Sequence, residues 1–118
     1  MRNFRNWDVY QNARNLTVVI YEITKDLPDT ERFGLISQIR RASVSIVANI
    51  AEGAGRATER DFKHFLTMAL GSAFEEEALI EVASDLKFLE EESKIKTLVK
   101  LEVIQKQLNA FITKLSVT

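Results

Sequence analysis

Residues 38–53 read QIRRASVSIVANIAEG, a helix-forming stretch in which two adjacent arginines, an asparagine and a glutamate sit among small and apolar side chains. A helix that only filled a core would have no use for Arg40, Arg41, Asn49 and Glu52, because buried polar groups are costly unless paired. Three chemistries suit such residues: a catalytic site, a nucleic-acid surface, or polar anchors between copies of the chain. Glu75, farther along in GSAFEEEA, could complete any of them.

Catalysis is the poorest match. His64 is the only histidine and there is no cysteine. A His-based dyad, a multi-His metal site within one chain, thiolate chemistry and a Cys-based zinc site are therefore excluded. The Glu-x-x-His pairs of di-metal bundles are missing, since Arg60 and Asp61 occupy the relevant steps before His64. Glu52-Gly53-Ala54-Gly55-Arg56 lacks the spacing of a phosphate-cradling loop and reads as a helix break. Glu75 and Arg40 could build a hydrolytic site, but no nucleophile or acid–base pair stands out. No enzyme, cofactor or metal is expected.

Nucleic acid is a better match locally than globally. The net charge is -1 over 118 residues, which gives no overall attraction to phosphate. The distribution is uneven, however. Residues 32–64 hold Arg32, Arg40, Arg41, Arg56, Arg60 and Lys63 against Glu52, Glu59 and Asp61, whereas residues 75–92 hold eight acids against Lys87 alone. The end of the chain turns basic again, with Lys94, Lys96, Lys100, Lys106 and Lys114 against Glu102. Segregated charge steers partners locally, although opposite blocks can also neutralise each other across neighbouring helices. Arg56, Arg60 and Lys63 cluster where a helix begins, and a helix N-terminus adds backbone donors for phosphate. Phe62 and Phe65 read as core, so binding there would be led by the backbone and salt-dependent.

Helices must position these groups. Val9, Ala13, Leu16, Ile20, Ile23 and Leu27 recur in steps of three and four and stop at Pro28, the only proline. Leu35, Ile39, Ala42, Ile46 and Ile50 repeat the pattern up to Gly53. Thr58 is an N-cap with Asp61 in a capping-box position. A third stripe runs through Phe65, Met68, Ser72, Glu75, Leu79, Val82, Leu86 and Leu89. A fourth opens near Ser93 and uses Leu98, Leu101, Gln105, Leu108, Ile112 and Leu115. No strand alternation occurs. The spacing predicts helices over about 7–26, 34–52, 58–89 and 93–115 in one all-α, antiparallel, up-down-up-down four-helix bundle. The N-terminus lacks the apolar run of a signal peptide, and no apolar run approaches the roughly 18 residues of a membrane span. A soluble, cytoplasmic protein without membrane partners is expected.

On this register Glu75 lies in the seam. A buried carboxylate must be paired or protonated, so an intra-bundle network of Glu75 with Arg40, Asn49 and neighbouring Ser72 is expected, fixing the bundle's register. Glu76 and Glu77, turned away by about 100° per residue, should be more exposed. The opposite face of the second helix carries Ser37, Arg41, Val44, Ala48 and Glu52, with Ser45 at its edge. An exposed face normally carries long charged side chains. This low-relief one reads as a subunit interface with Arg41 and Glu52 as anchors, the alternative being a bland exposed face.

The succession LPDTERFGLISQIRRASVSIVANIAEGAGRAT and then DFKHFLTMALGSAFEEEALIEVASDL resembles the bacterial four-helix-bundle family encoded by intervening sequences in 23S ribosomal RNA genes. The matching positions are Pro28 and Glu31, Gly34-Leu35, Gln38 with Arg40-Arg41-Ala42, Ser45-Ile46, Asn49 to Gly53, and Gly71-Ser72 with Glu75, so the likeness spans nearly the whole chain. Glu76 departs from it, standing where the family usually has an apolar residue. The resemblance implies a four-helix bundle without established enzymatic activity, and a homo-oligomer, with a pentamer favoured. Relatives that serve diversity-generating retroelements bind nucleic acid together with a reverse transcriptase, so RNA or DNA and such a protein are implied partners. The expected function is a non-enzymatic, oligomeric accessory protein with basic patches repeated around a ring; the alternative is a scaffold that docks only protein.

Overall fold

A computed structural model describes residues 2–115. It is built from α1 (Asp8–Ile23), α2 (Leu35–Ala54), α3 (Glu59–Asp85) and α4 (Glu91–Lys114), with short 3₁₀ turns before and after α1 and ahead of α2. Among the described residues there is no strand, and the architecture is the expected four-helix bundle. Its long axis of 43 Å is about the length of α3 at 1.5 Å per residue. Helices consecutive in sequence pack side by side and α4 returns to α1, while the diagonal pairs do not meet among the described residues. The cross-section is therefore a square. No described helix is long and apolar enough to cross a membrane.

The expected stripes of α1 and α2 form the core: Val9, Ala13, Leu16 and Ile20 face Ile39, Ala42, Ile46 and Ile50, all buried. Each fully buried Leu or Ile contributes about 1.5–3 kcal/mol. On α3 the core face is offset by one residue from the expected one. Phe62, Leu66, Ala69, Ala73, Glu76, Ile80 and Ala83 point inward, while Met68, Val82 and Leu86 are exposed. Both stripes of α3 are largely apolar, and the alanine-rich one wins because small side chains let α2 approach. Gly53 marks that approach, since a Cβ there would lie 2.8 Å from the Phe65 Cβ and 3.2 Å from the Phe62 ring. On α4 the buried set is Thr97, Leu101, Ile104 and Leu108, with Leu98, Gln105 and Ile112 only half-buried.

The ends have local causes. Thr58 caps α3, its Oγ1 accepting from the Asp61 backbone N–H at 3.1 Å. Glu31 Oε1 accepts from the Leu35 N–H at 3.2 Å and so closes the start of α2. The last turn of α1 tightens into a 3₁₀ turn over Thr24–Asp26, ending the α-helix short of residue 26. Likewise α3 stops at Asp85 rather than 89, because Lys87 takes a left-handed φ of 64°. The Lys87 and Phe88 N–H groups turn back to the carbonyls of Ser84 and Ala83, both at 2.9 Å, a Schellman closure built without its usual glycine.

Candidate interaction surfaces

The α2–α3 seam gathers most of the residues singled out from the sequence, but pairs them differently. Ser45 Oγ and Ser72 Oγ share a hydrogen bond of 2.9 Å, and the Asn49 amide donates to the Ser45 carbonyl and hydroxyl at 2.9 and 3.0 Å. Asn49 and Ser72 thus belong to one small cluster. Arg40 and Glu75 do not. Arg40 turns to α1, donating from Nε to Thr24 Oγ1 at 2.9 Å and lying 4.5 Å above the Tyr21 ring. Glu75 is only half-buried and receives Arg41 at 2.7 Å. Two adjacent arginines diverge by about 100° on a helix, so they straddle α2: Arg40 serves α1 and Arg41 serves α3.

Glu76, expected to be exposed, is the buried carboxyl, at 0% exposure. Neither of its oxygens has a hydrogen-bond partner among the described residues. Burial foremost, and then the Glu75 charge, push its pKa up from the ordinary 4.5 to about 8. The Ser43 hydroxyl and the Arg41 guanidinium act against this more weakly. Ser43 Oγ is itself 2.9 Å from Thr17 Oγ1, so a string of hydroxyls leads from α1 through α2 towards the carboxyl without closing a hydrogen bond on it. Burial thus favours the protonated form of this carboxyl at neutral pH. Beside it, Glu77 accepts from Gln105 of α4 at 2.8 Å.

The outer face of α2 presents Ser37, Arg41, Val44, Ala48 and Glu52 to solvent, with Ser45 half-buried. Its two long polar side chains already have partners in the same chain. Arg41 is held by Glu75, and Glu52 accepts from Arg56 at 3.1 Å. Neither is therefore an uncommitted anchor for a neighbouring copy; what the face offers openly is Ser37, Val44 and Ala48. Large apolar side chains extend the exposed surface. Val44 lies on α2, Met68, Phe74 and Val82 on α3 with Leu86 just past its end, Val18 on α1, and Ile95, Val99 and Val103 on α4. Val44 lines a shallow groove with Tyr21 of α1 and Phe74 one with Gln105 of α4, so exposed apolar side chains occur on more than one side of the bundle.

The basic group sits where α2 gives way to α3. Arg60 is exposed and Lys63 half-buried. Arg56 is tied to Glu52 and lies 4.4 Å over the Phe65 ring. The chain start adds Arg2, which no motif or spacing links to this corner. It donates to the Arg56 carbonyl at 2.8 Å and lies 4.3 Å over Phe62. Phe62 packs on Trp7 and Phe111 and is core as expected. Among the described residues no three His, Cys, Asp or Glu side chains are grouped to hold a metal ion.

No curated protein matches the chain. A crystal structure of a protein of unknown function from the S23 ribosomal protein family of Bacteroides thetaiotaomicron VPI-5482 superposes with a TM-score of 0.80 at 26% identity, covering 88% of this chain and 97% of that one. Neither that likeness nor the family points to an enzyme. Residues 5–110 match the sequence profile of the 23S rRNA-intervening sequence proteins, and with the helix order and the QIRRASVSIVANIAEG seam on the same residues, the chain belongs to that family.

Proposed function

We propose that the chain is a non-catalytic, self-associating accessory protein that presents a basic end, centred on Arg56, Arg60 and Lys63, to RNA or DNA. The observation behind this reading is the set of large apolar side chains left exposed around the bundle, including Val44 at 44% and Val99 at 60% exposure. Contiguous exposed apolar surface on a folded chain is a mark of association. Exposure on more than one side suits head-to-tail contact, which closes into a ring when the rotation allows. A ring of five is the assembly that the family resemblance suggests, and it would repeat a modest basic end around one axis. A reverse transcriptase is the protein partner suggested in the same way.

Light scattering after size exclusion tests the assembly. An oligomer is expected at micromolar concentration, and Val44→Glu with Ala48→Glu should reduce it to monomers. A wild-type monomer would sink the reading. Anisotropy titrations with structured RNA and duplex DNA at two salt concentrations test the basic end, where Arg56→Glu with Arg60→Glu should weaken binding, and added salt should too. One observation favours the protein-only scaffold as a second reading: Glu52 already neutralises Arg56 within the chain. Unchanged affinity in the double variant would select it.

A further inference from the structure

Phe33, in the turn entering α2, is 89% exposed, more than any other large apolar side chain described. It stands at the mouth of a shallow groove of about 470 Å³ between α1 and α2. Tyr21, Ile36 and Val44 form the apolar part of this groove, and Arg32, Arg40 and Arg41 the charged part. No acidic side chain lines it. Glu22 is held by Lys25 and Glu31 by the start of α2, while Glu75 already matches the charge of Arg41 from the α3 side, so Arg32 is the exposed cation that the groove offers a carboxylate.

We infer that this groove docks a short segment of another protein that carries a large apolar side chain flanked by aspartates or glutamates. An apolar floor rimmed by charge is the usual anatomy of a peptide-binding groove, and guanidinium groups are the donors best shaped for carboxylates. The arginines also decide against single-stranded nucleic acid. A strand stacks its bases on successive aromatic faces, and Arg40 covers the Tyr21 ring at 4.5 Å, which leaves Phe33 as the groove's single open ring. What remains open suits an aliphatic or aromatic side chain reaching past Phe33 to Ile36. Val44 also belongs to the outer face of α2 that the proposed self-association uses, so the inference rests on Arg32, Phe33 and Ile36, which lie outside that face.

The test is selection of a random 12-residue peptide display library on the full chain, followed by anisotropy titration of the enriched peptides. Enriched peptides should pair Asp or Glu with Phe, Leu or Ile. They should bind Arg32→Glu/Phe33→Ala at least tenfold more weakly, and replacing their acids with the matching amides should cost a similar factor. Both altered residues are exposed, and a melting curve verifies that the variant folds. The inference is overturned if no peptide is enriched, if the enriched ones lack acids, or if they bind the variant equally well. Competition by an oligothymidine strand at the same corner would assign the groove to nucleic acid instead. An oligomer that falls apart on Phe33→Ala alone would assign it to a second copy of the chain, and either result overturns the inference.

Discussion

The inner and outer sides of the α2–α3 seam treat two neighbouring carboxylates in opposite ways. On the outside, Glu75 meets Arg41 at 2.7 Å with both side chains well exposed, 61% for the arginine and 40% for the glutamate. Inside, Glu76 is fully buried and has no hydrogen-bond partner among the described residues. Water screens the outer pair, so its geometry is good but its energy small. The inner carboxyl lies where an ionised form would be severely penalised, so it keeps its proton. One helical step of about 100° separates the two outcomes, and proximity to a cation matters less than which side of the helix faces solvent.

The sharpest way to break this contrast is to vary pH. Glu76 holds its proton in the folded chain up to about pH 8, whereas the unfolded chain loses it near the ordinary value. The folded state binds more protons across that window, so stability should fall as pH rises from about 4.5 to about 8 and level off above. The gap sets a ceiling on the order of 5 kcal/mol. Urea unfolding at pH 5, 7 and 9 should show the decline, and Glu76→Gln should flatten it, being more stable than wild type at pH 9 by a few kcal/mol. A wild-type profile already flat between pH 5 and 9 would mean the carboxyl is solvated or paired after all.

The backbone around the seam extends the contrast at smaller scale. Gly53 lies on the inner side, where an added methyl would collide with Phe65 and Phe62. Gly53→Ala should destabilise by about 1–3 kcal/mol through overpacking, read as a lowered melting temperature. Gly71 lies mid-helix in α3 with nothing within 4 Å of a built Cβ. Gly71→Ala should therefore stabilise the chain by about 0.5–1 kcal/mol by removing backbone freedom from the unfolded state. If Gly71→Ala destabilised instead, something must lie against that spot in solution, and a sister chain would be the first suspect.

What could be read in advance follows the same division. The stripes of α1 and α2 were legible because Leu16, Ile20, Ile39 and Ile46 are large, branched and flanked by polar residues, leaving one choice of inner face. The cap at Thr58 was legible because its chemistry is local. On α3 the choice between stripes was ambiguous: Met68, Leu79, Val82 and Leu86 outweigh Ala69, Ala73 and Ala83 in bulk, yet closeness to α2 favours the alanines. That single misplaced step exchanged Glu75 for Glu76, and the outward Glu75 meets Arg41 while Arg40 turns to Tyr21 and Thr24. The one available hint was Glu76 itself, a carboxylate where the family usually keeps an apolar residue. Lys87 hid the end of α3, since a lysine gives no sign of a left-handed turn. Arg2 beside Arg56, and Phe33 beside Tyr21 and Arg40, are juxtapositions made only by folding.

The smallest expected effect is on the outer pair, and it tests the comparison from the other side. Arg41→Ala and Glu75→Ala, singly and together, form a double-mutant cycle that isolates the pair's coupling. In a free chain the coupling should be no more than about 1 kcal/mol and should shrink with added salt, because both groups are largely solvated. The cycle run at low and high protein concentration gives it a second use. Covering by a sister chain would desolvate the pair, and the coupling would then grow with concentration and lose its salt sensitivity. In that event Glu75 and Glu76 would differ in having a partner, not in being buried, and the outer face of α2 would be an interface whose anchors are matched within each chain before the chains meet.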